Sequence, residues 1–484
     1  MKNRRSQICF DEGIGSRWPL FRLGLASALV YLLAFSLPYW LPSHSLNLKD
    51  ELYAFAARQP WRGVLFYAAL AVLFGLYLIA YRLVARPGRK RVGPWFVGLW
   101  TLIFCLLLIP VQPITSSDVY GYVFQGRIVA VLGENPFAHL YKDFAADPFY
   151  FCVTFRDLPA TTGYGPLWIA IEAGLGWLAG NRLLLSLCLF KGLAAALHLL
   201  SAGLVYATLE RLAPERSVAG MLFFAWNPLL LHELVGNAHN DAAVAALSLL
   251  GFYLLSRNRG SLAVPCFTAA ALVKPVALLW LPLAALWLLT QSHGWPARVR
   301  CALAIAALVI VPTVAAYAPF WAGAATFRGL LAQGDIHGNS LPNLLIQALW
   351  SVWPDATDQI VTGAKFVTVL IFAPFYLSQL WVARKDLVRA SFDVMLFYLL
   401  FVGFQFMPWY LAWLLVPAAL LSDPLRRRLV TVLCVTAPLL YFPFGWQWAR
   451  SQLPVWGIAL LASLPLLVSC LWLGVWAWHS RRSR

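Results

Sequence analysis

The sequence predicts an all-α polytopic membrane protein, and two observations carry that prediction. Of the 484 residues, 61% are hydrophobic and only 12% are charged, and the mean hydropathy is +0.71, which is far from the composition of soluble globular domains. Apolar runs close to the roughly 20 residues needed to cross a bilayer also recur from one end of the chain to the other. We therefore treat residues 1–484 as a single integral membrane domain.

The apolar runs predict a bundle of about 13–14 transmembrane helices. The predicted spans are 20–41, 62–84, 93–112, 183–209, 218–235, 241–256, 260–273, 275–291, 299–320, 361–382, 390–407, 409–421, 428–444 and 454–478. Two places leave alternatives open. Residues 166–180 are short and Gly-rich and contain Glu172, which is typical of a re-entrant or interfacial helix. Residues 260–291 form either two elements or one helix kinked at Pro275.

The basic residues predict the orientation of the chain in the membrane. The net charge of +17 comes from short clusters between apolar runs, as in cytoplasmic loops and unlike a nucleic-acid-binding surface. With both termini in the cytoplasm, the clusters share one side: Arg82 to Arg91, Arg211 and Arg216, Arg257 and Arg259, Arg298 and Arg300, Arg384 to Arg389, Arg426 to Arg428, and Arg481 to Arg484. The outer face then holds the Asp118 loop, residues 232–241, Lys274 and residues 321–360. Taking both alternatives above together moves the His239 segment to the cytoplasmic side.

The N-terminal residues and the cysteines do not indicate a secreted protein, a disulfide-rich protein or a zinc-binding protein. Lys2, Arg4 and Arg5 precede the first apolar run without a convincing small-residue cleavage site, so we predict a retained signal anchor. The eight cysteines include no Cys-x-x-Cys pair, and Cys152 is alone in the large loop. The sequence therefore supports neither a disulfide framework nor a zinc site.

The longest polar interruption in the first half of the chain is residues 113–165, which we predict to be an outer catalytic loop. Loops of this length in compact proteins are usually functional. Asp118 follows two serines and is either a helix N-cap or a general base for an acceptor hydroxyl. Arg127 is a natural phosphate partner. On a continuous helix its side chain lies on the face opposite to Asp118, so the two contact one substrate only if Asp118 is at the very start of the helix.

A second polar cluster comprises His232-Glu233 and residues 236–241, between two apolar spans. Asn240 or Asp241 is a candidate cap for the next helix. Polar groups at this depth are costly unless they are paired or in use, so the whole cluster also predicts a site. Metal ligation by His232 and His239 is an alternative, but their spacing matches no strong signature.

Three further positions are candidates for contact with substrate. Lys274 precedes Pro275, so its ammonium is expected at a helix break, where it either snorkels to the interface or contacts a phosphate. Residues 335–340 lie in an outer loop with Gly334 and Gly338 and favour a turn. Lys191 lies within a span, with Glu172 or Glu210 as its candidate partners.

Several motifs occur in an order that is similar to one known family. They are Ser117-Asp118-Val119-Tyr120, Gln125-Gly126-Arg127, Gly133-Glu134-Asn135-Pro136-Phe137, Tyr164-Gly165-Pro166, Trp226-Asn227-Pro228, Gly236 to Asp241, and Lys274-Pro275. In these motifs, and in hydropathy along its whole length, the chain resembles bacterial polyprenol-phosphate-mannose-dependent mannosyltransferases of the GT-C class. These are integral membrane glycosyltransferases. The motif resemblance covers residues 113–340.

The resemblance implies a GT-C-like helical bundle and an inverting transferase, with short interfacial helices in the outer loop. It assigns the role of general base to Asp118, and the donor phosphate to Arg127 and Lys274. It also implies that His239, Asn240 and Asp241 line the sugar or phosphate pocket. We further predict that Tyr120, Tyr164, His337 and Asn339 belong to the substrate pocket. No cofactor is implied, and no metal site is supported. The family often has an acidic residue where this chain has Gln125.

These observations predict a hexosyltransferase of the bacterial inner membrane, with mannose as the sugar that the resemblance implies. Its predicted partners are a polyprenyl-phosphate-linked donor, a lipid or glycan acceptor on the outer face, and membrane lipids, with no nucleic acid. One alternative is a transporter or flippase of a lipid-linked saccharide, against which stand the large outer loop and the lack of paired repeats. A lipid-linked glycan polymerase or ligase is the second alternative.

Overall fold

The computed structural model describes residues 18–41, 60–86, 92–153, 161–334, 336, 338–441 and 455–482. Within these ranges the regular secondary structure is helical, with only two isolated β-bridges and no strand. The all-α prediction is therefore confirmed. The basic N-terminal residues on which the signal-anchor prediction rests lie outside the described residues, as do Asp335 and His337.

The helices of the described chain are numbered here in chain order. They are α1 Trp18–Tyr31, α2 Pro60–Val84, α3 Pro94–Leu108, α4 Asp118–Ala130, α5 Pro166–Ala179, α6 Leu183–Leu212, α7 Ser217–Ala225, α8 Pro228–Gly236, α9 Asp241–Ser256, α10 Gly260–Val273, α11 Leu281–Gln291, α12 Trp295–Tyr317, α13 Arg328–Gln333, α14 Leu341–Val352, α15 Thr357–Ala383, α16 Leu387–Phe397, α17 Leu411–Leu420, α18 Pro424–Thr436 and α19 Val455–Arg482.

Some helices of the described chain are long enough to span a membrane. Five helical segments are long and apolar enough to cross a bilayer: Trp18–Ser36, Trp61–Val84, Leu183–Leu212, Trp295–Phe320 and Pro354–Ala383. Helices α7 and α8 make a sixth if they form one span bent by 43°. The polytopic character is thus confirmed, while the total of 13–14 spans stays a prediction because other apolar helices have only 10–17 residues.

The helix breaks have local causes in the sequence. Between α7 and α8, the side chain of Asn227 accepts hydrogen bonds from the backbone N–H groups of Leu229 (3.0 Å) and Leu230 (3.3 Å) and so caps the new helix. Lys274 is extended between α10 and a 3-10 turn, Pro275–Leu279, which confirms the break predicted at Pro275. The predicted span 390–407 is wrong at its end, because the π-helical turn Tyr398–Val402 closes the helix and residues 403–407 are not helical.

The most deeply buried elements surround the polar segment of residues 236–241. Every residue of α8 and of α17 is buried. Helix α17 packs on α9, α16 and α18, and α9 packs on α6 and α10. In contrast, no residue of α12 is buried, as expected for an apolar helix that faces lipid. The polar segment therefore lies inside the bundle, and its backbone is held by neighbouring helices.

Helix α4, which begins at Asp118, crosses α5 at very short range. A Cβ atom on Gly126 would lie 2.2 Å from the carbonyl oxygen of Glu172, and one on Gly176 would lie 2.9 Å from the carbonyl carbon of Gly126. Only glycine allows two helix backbones to approach this closely. The glycine between Gln125 and Arg127 thus has a packing role that fixes α4 against α5.

We expect Gly126→Ala to lower the stability of the folded protein by about 1–3 kcal/mol, because the added methyl group must separate α4 from α5. Gly174→Ala on α5 is the matched control, since a Cβ atom there meets nothing within 4 Å. Thermal unfolding of both variants in detergent checks the prediction. Equal unfolding temperatures for the two variants would contradict the close crossing.

Candidate functional site

Asp118 is the first residue of α4, at the inner end of the predicted catalytic loop. Its carboxylate accepts a hydrogen bond from Tyr164 Oη at 3.5 Å, and Oδ2 lies 3.6 Å from His239 Nδ1. Within the described residues this carboxylate accepts no hydrogen bond from a backbone N–H of α4, as an N-cap would. About a quarter of the side chain, 24%, is exposed, which leaves room for a substrate.

His239 lies between Asp118 and a second carboxylate. The Nε2 atom is 3.5 Å from Glu233 Oε2, and the side chains of both residues are fully buried. The imidazole ring stacks on Trp409 with a centroid distance of 3.9 Å and an angle of 18°. The ring therefore has a fixed plane and presents one nitrogen to each carboxylate.

Glu233 is held by several hydrogen-bond donors. Tyr441 Oη donates to Oε1 at 2.7 Å, Asn237 Nδ2 donates to Oε2 at 2.9 Å, and the hydroxyl of Thr115 reaches Oε1 at 3.5 Å. Asn237 Oδ1 in turn accepts from the backbone N–H of Ile114 at 3.0 Å. This network joins α8 directly to residues 114–115, which lead into Asp118.

Lys274 forms an ion pair with Asp241, the first residue of α9. The ammonium lies 3.0 Å from each carboxylate oxygen, and Trp413 Nε1 donates to Oδ1 at 2.5 Å. The ammonium also lies 5.0 Å from the ring centroid of Tyr410 and 5.2 Å from that of Trp413, at cation–π distance. Asp241 is fully buried and 15% of the Lys274 side chain is exposed, so Lys274 is paired rather than simply snorkelling.

The Tyr164-Gly165-Pro166 motif links the two parts of the site. The backbone N–H of Gly165 donates to the carbonyl of Val273 at 3.0 Å, and a Cβ atom on Gly165 would lie 1.9 Å from the carbonyl oxygen of Leu272. A side chain is thus excluded at Gly165, and Tyr164 stands between the end of α10 and Asp118. Burial, and then the nearby Asp118 carboxylate, raise the pKa of Tyr164 well above its usual value. Its hydroxyl therefore stays protonated and able to donate.

Asn339 lies in a segment that supports the aromatic side of the site. The backbone N–H of Gly338 donates to the carbonyl of Phe404 at 2.9 Å, and Phe406 N–H donates back to Gly338 at 3.1 Å. Asn339 adopts a positive φ of 54° and its amide lies 3.9 Å from Met407 Sδ. This turn holds the segment that leads to Trp409 and Tyr410, while the predicted role of His337 falls outside the described residues.

Arg127 lies at the other end of α4 and is not brought together with Asp118. Its Nε donates to both oxygens of Asp147, at 2.9 and 2.8 Å, and its Nη1 donates to Asn181 at 2.5 Å. The guanidinium also lies 4.5 Å from the ring of Phe149. These contacts tie residues 147–149 and Asn181 to α4 and occupy the guanidinium. Tyr120 is buried two residues after Asp118.

Lys191 contacts neither Glu172 nor Glu210, so both predicted partners are wrong. Its fully buried ammonium donates to the carbonyls of Val111, at 2.7 Å, and of Gly236. A cation suits these unpaired carbonyls, which follow α3 and end α8. Lys191 therefore anchors both segments that lead into the site.

Asn240, like His239, is a predicted pocket residue whose polar side-chain atoms make no hydrogen bond with the described residues. Within the described residues neither its Nδ2 nor its Oδ1 atom has a hydrogen-bond partner, although the residue is only 1% exposed. Buried amides are nearly always hydrogen-bonded in folded proteins. Asn240 thus keeps unused hydrogen-bonding capacity inside the bundle.

The residues that sequence reasoning missed are mainly aromatic. Trp409, Tyr410 and Trp413 come from residues interpreted as a plain membrane span, and Tyr441 comes from the end of another. One signal was present: Pro408 directly precedes the Trp-Tyr pair, as at the other helix breaks of this chain. No group of three His, Cys, Asp or Glu residues in the described chain has metal-binding geometry, and metal dependence stays untested.

Comparisons with known proteins identify the family of the chain. A sequence model described as alpha-(1->6)-mannopyranosyltransferase, N-terminal domain, matches residues 21–290, more than half of the chain. The chain belongs to this family. The matched region contains Asp118, Glu233, His239 and Lys274. The aromatic residues Trp409, Tyr410, Trp413 and Tyr441 follow it in the sequence.

Individual relatives extend the match beyond that region. The chain is 27% identical over 396 residues to alpha-(1->6)-mannopyranosyltransferase A of Mycobacterium tuberculosis, covering 74% of this chain and 71% of the relative. It is 22% identical over 385 residues to alpha-(1->6)-mannopyranosyltransferase B of Corynebacterium glutamicum, covering 72% and 61%. The chain is thus a glycosyltransferase of the mannosyl-transferring kind, which confirms the predicted class and the resemblance.

Proposed function

We propose that this protein transfers a mannosyl group from a polyprenyl-phosphate donor to a hydroxyl of a lipid or glycan acceptor, with inversion at the sugar carbon. The names of its relatives support an α-(1→6) linkage in the product. The observation that carries the proposal is the position of Asp118. Its carboxylate is partly exposed and accepts no hydrogen bond from a described backbone N–H of α4. It lies beside Tyr164 and His239.

The proposed reaction needs one base and one stabilising charge. The acceptor oxygen attacks C1 of the sugar, a C1–O bond forms, and the bond from C1 to the phosphate oxygen breaks. The acceptor proton moves to Asp118, and polyprenyl phosphate leaves with the electron pair of the broken bond. A phosphate needs charge stabilisation more than protonation as it leaves, so the group of interest is the nearest cation.

Lys274 is the proposed phosphate ligand. Its ammonium donates to both carboxylate oxygens of Asp241, and an ammonium with three donor hydrogens can also donate to a phosphate oxygen. Asp241 keeps the ammonium in place, and the stacked rings of Tyr410 and Trp413, 4.3 Å apart, form the wall behind it. Arg127 keeps its predicted role only as a proposal, because its guanidinium is engaged by Asp147 and Asn181.

The catalytic loop is proposed to face the outside of the inner membrane, with both termini in the cytoplasm. We expect a cysteine at Ala146, an exposed loop position, to react with an impermeant maleimide added to intact cells. A cysteine at Ser422, exposed beside the basic Arg426 cluster, is expected to react only after permeabilisation. Both are compared with the unmutated protein to correct for native cysteines. Labelling of Ser422→Cys alone in intact cells would reverse the proposed orientation.

The donor class is tested with purified protein in lipid nanodiscs. We expect radiolabelled polyprenyl-phosphate mannose to yield labelled acceptor and free polyprenyl phosphate, with an α-(1→6)-dimannoside carrying an octyl chain as acceptor. Polyprenyl-phosphate glucose and GDP-mannose are the comparison donors and should give little product. Transfer from GDP-mannose alone would overturn the lipid-linked donor. A transporter would consume no donor at all.

A further inference from the structure

The buried imidazole of His239 lies between two carboxylates, and the proposed reaction uses only one of them directly. Nδ1 is 3.6 Å from Asp118 Oδ2, and Nε2 is 3.5 Å from Glu233 Oε2. We propose that Glu233 acts through His239 as a positioning residue for the base, holding Asp118 ionised and oriented toward the acceptor. This inference rests on the proposed function and adds to it the residues that prepare the base.

Glu233 is placed to remain an anion and to require a cation nearby. Its carboxylate is fully buried and accepts from Tyr441 Oη and Asn237 Nδ2, at 2.7 and 2.9 Å. Donors of this kind stabilise the ionised form of a carboxylate. A buried carboxylate is also expensive without a counter-charge. Two imidazoles lie within 4 Å of it, those of His232 at 3.8 Å and His239.

Of these two imidazoles, His239 is the better counter-charge. The Nε2 atom of His232 lies 2.9 Å from the hydroxyl of Thr115, which is a neutral partner. His239 has a carboxylate opposite each ring nitrogen, and an imidazolium donates a hydrogen from both nitrogens. Each ring nitrogen lies at ion-pair distance from one carboxylate and makes no other hydrogen bond in the described structure, so a protonated ring faces Glu233 and Asp118 together, with its plane fixed by the stack on Trp409 at 3.9 Å.

The contacts of Asp118 divide its two oxygens. Tyr164 Oη and His239 Nδ1 both approach Oδ2, and no described residue makes a hydrogen bond or ion pair with Oδ1. Oδ2 is thus the held oxygen, and Oδ1 is the oxygen that receives the acceptor proton. After transfer, Asp118 is neutral, while His239 and Glu233 remain an oppositely charged pair, so the buried charge stays balanced.

The other titratable groups around this pair come from several elements. Tyr122, Tyr141, Tyr164 and Tyr410 interact electrostatically with Asp118, His232 interacts with both His239 and Lys191, and Asp241 is paired with Lys274. The tyrosines are neutral donors near neutral pH, and the Lys274–Asp241 pair carries no net charge. Glu233 is thus the described anion that supports a protonated His239 apart from Asp118 itself.

The test compares Glu233→Gln with Glu172→Gln in nanodiscs, using polyprenyl-phosphate mannose and the octyl dimannoside. Glu172 is equally buried but lies on α5 and has no contact with His239 in the described structure, so it controls for loss of a buried carboxyl group. We expect Glu233→Gln to lower kcat by about 10- to 100-fold, less than loss of the base itself. Its KM for the donor should stay within about twofold of the parent value.

A pH profile separates positioning from general damage. In Glu233→Gln the buried anion beside His239 is lost, and with it the support for a cation next to the Asp118 carboxylate. We therefore expect the acidic limb of kcat/KM to move to higher pH in Glu233→Gln and in His239→Gln, but not in Glu172→Gln. Glu233→Asp should recover part of the lost kcat.

The outcomes are distinct. Parent-like kcat and an unmoved acidic limb in Glu233→Gln would overturn the positioning role, while an active parent protein and an inactive Asp118→Asn would leave the proposed function intact. A parent protein that consumes no donor removes both. If Glu233→Gln does not fold, Tyr441→Phe replaces it, since this change removes one donor to Glu233. A smaller fall in kcat with a limb displaced in the same direction supports the proposal, and an unmoved limb rejects it.

Discussion

Replacing Asp118 by Asn is expected to reduce mannosyl transfer by about 10²- to 10⁴-fold, the range that a positioned general base contributes. Asn keeps the size and one oxygen of the side chain but does not accept the acceptor proton. The hydroxyl of Tyr164, 3.5 Å from the carboxylate, still finds a partner, so the site should keep its shape. Donor binding, followed by titration with a fluorescent polyprenyl-phosphate mannose, is expected to change little.

Asp143→Asn is the matched control for this experiment. Asp143 lies in the same loop, its side chain is 43% exposed, and its carboxylate accepts from the backbone N–H of Leu140 at 2.9 Å. We expect near-parental transfer from this variant. Equal activity of Asp118→Asn and Asp143→Asn would reduce Asp118 to a structural residue at the start of α4.

Replacing Lys274 by Met is expected to produce the largest loss of stability. The change leaves the fully buried Asp241 carboxylate with Trp413 as a donor but without its cation. Removing one partner of a buried ion pair typically costs about 3–5 kcal/mol. The partial exposure of Lys274, 15%, places the expectation near the lower end of that range. Thermal unfolding in detergent measures the effect.

The double variant Lys274→Met/Asp241→Asn separates stability from donor binding. It removes both charges, so most of the lost stability is expected to return. If the Lys274 ammonium contacts the donor phosphate, donor binding in the double variant remains weaker by about 1.5–3 kcal/mol, the value of a charge-assisted hydrogen bond. Parental donor affinity in a stable double variant would remove Lys274 from the phosphate site and leave it a structural role.

Much of the fold follows from patterns that are local in sequence. Hydrocarbon-length apolar runs give the helical membrane class, and proline after Lys274 gives the break between α10 and the following turn. The ends of the spans are harder to predict from sequence, because a hydropathy profile does not register the end of a helix inside an apolar run. Residues 390–407 illustrate this, since their apolar composition continues after the helix has ended at Val402.

The sequence predicts the charged residues of the candidate site together with Tyr120 and Tyr164, and it does not predict Trp409, Tyr410, Trp413 or Tyr441. Asp118, His239, Asp241 and Lys274 stand out because charge is rare in apolar surroundings. Trp409 and Tyr441 do not, since aromatic residues are common in every span and their partners lie far away in sequence. Pairings across the bundle, such as that of Arg127 with Asp147 rather than Asp118, depend on how α4 and the loop pack.

The Gln125-Gly126-Arg127 motif on α4 contributes to helix packing as well as to the resemblance. Gln125-Gly126-Arg127 was interpreted as part of a substrate-binding pattern. In the structure, Gly126 allows the contact with Glu172, and Arg127 fastens the loop through Asp147. Gly126 and Arg127 thus hold α4 against neighbouring elements. Charge and periodicity along the sequence do not predict these contacts.

The measurement that tests the central claim most directly is the anomeric configuration of the product. Purified protein in nanodiscs is given β-linked polyprenyl-phosphate mannose labelled with ¹³C at C1, together with the octyl dimannoside, and the new linkage is read by NMR. A single displacement assisted by Asp118 predicts an α-linked product, formed in equal amount to released polyprenyl phosphate and reduced by about 10²-fold or more with Asp118→Asn. A β-linked product, or near-parental transfer by Asp118→Asn, would contradict it.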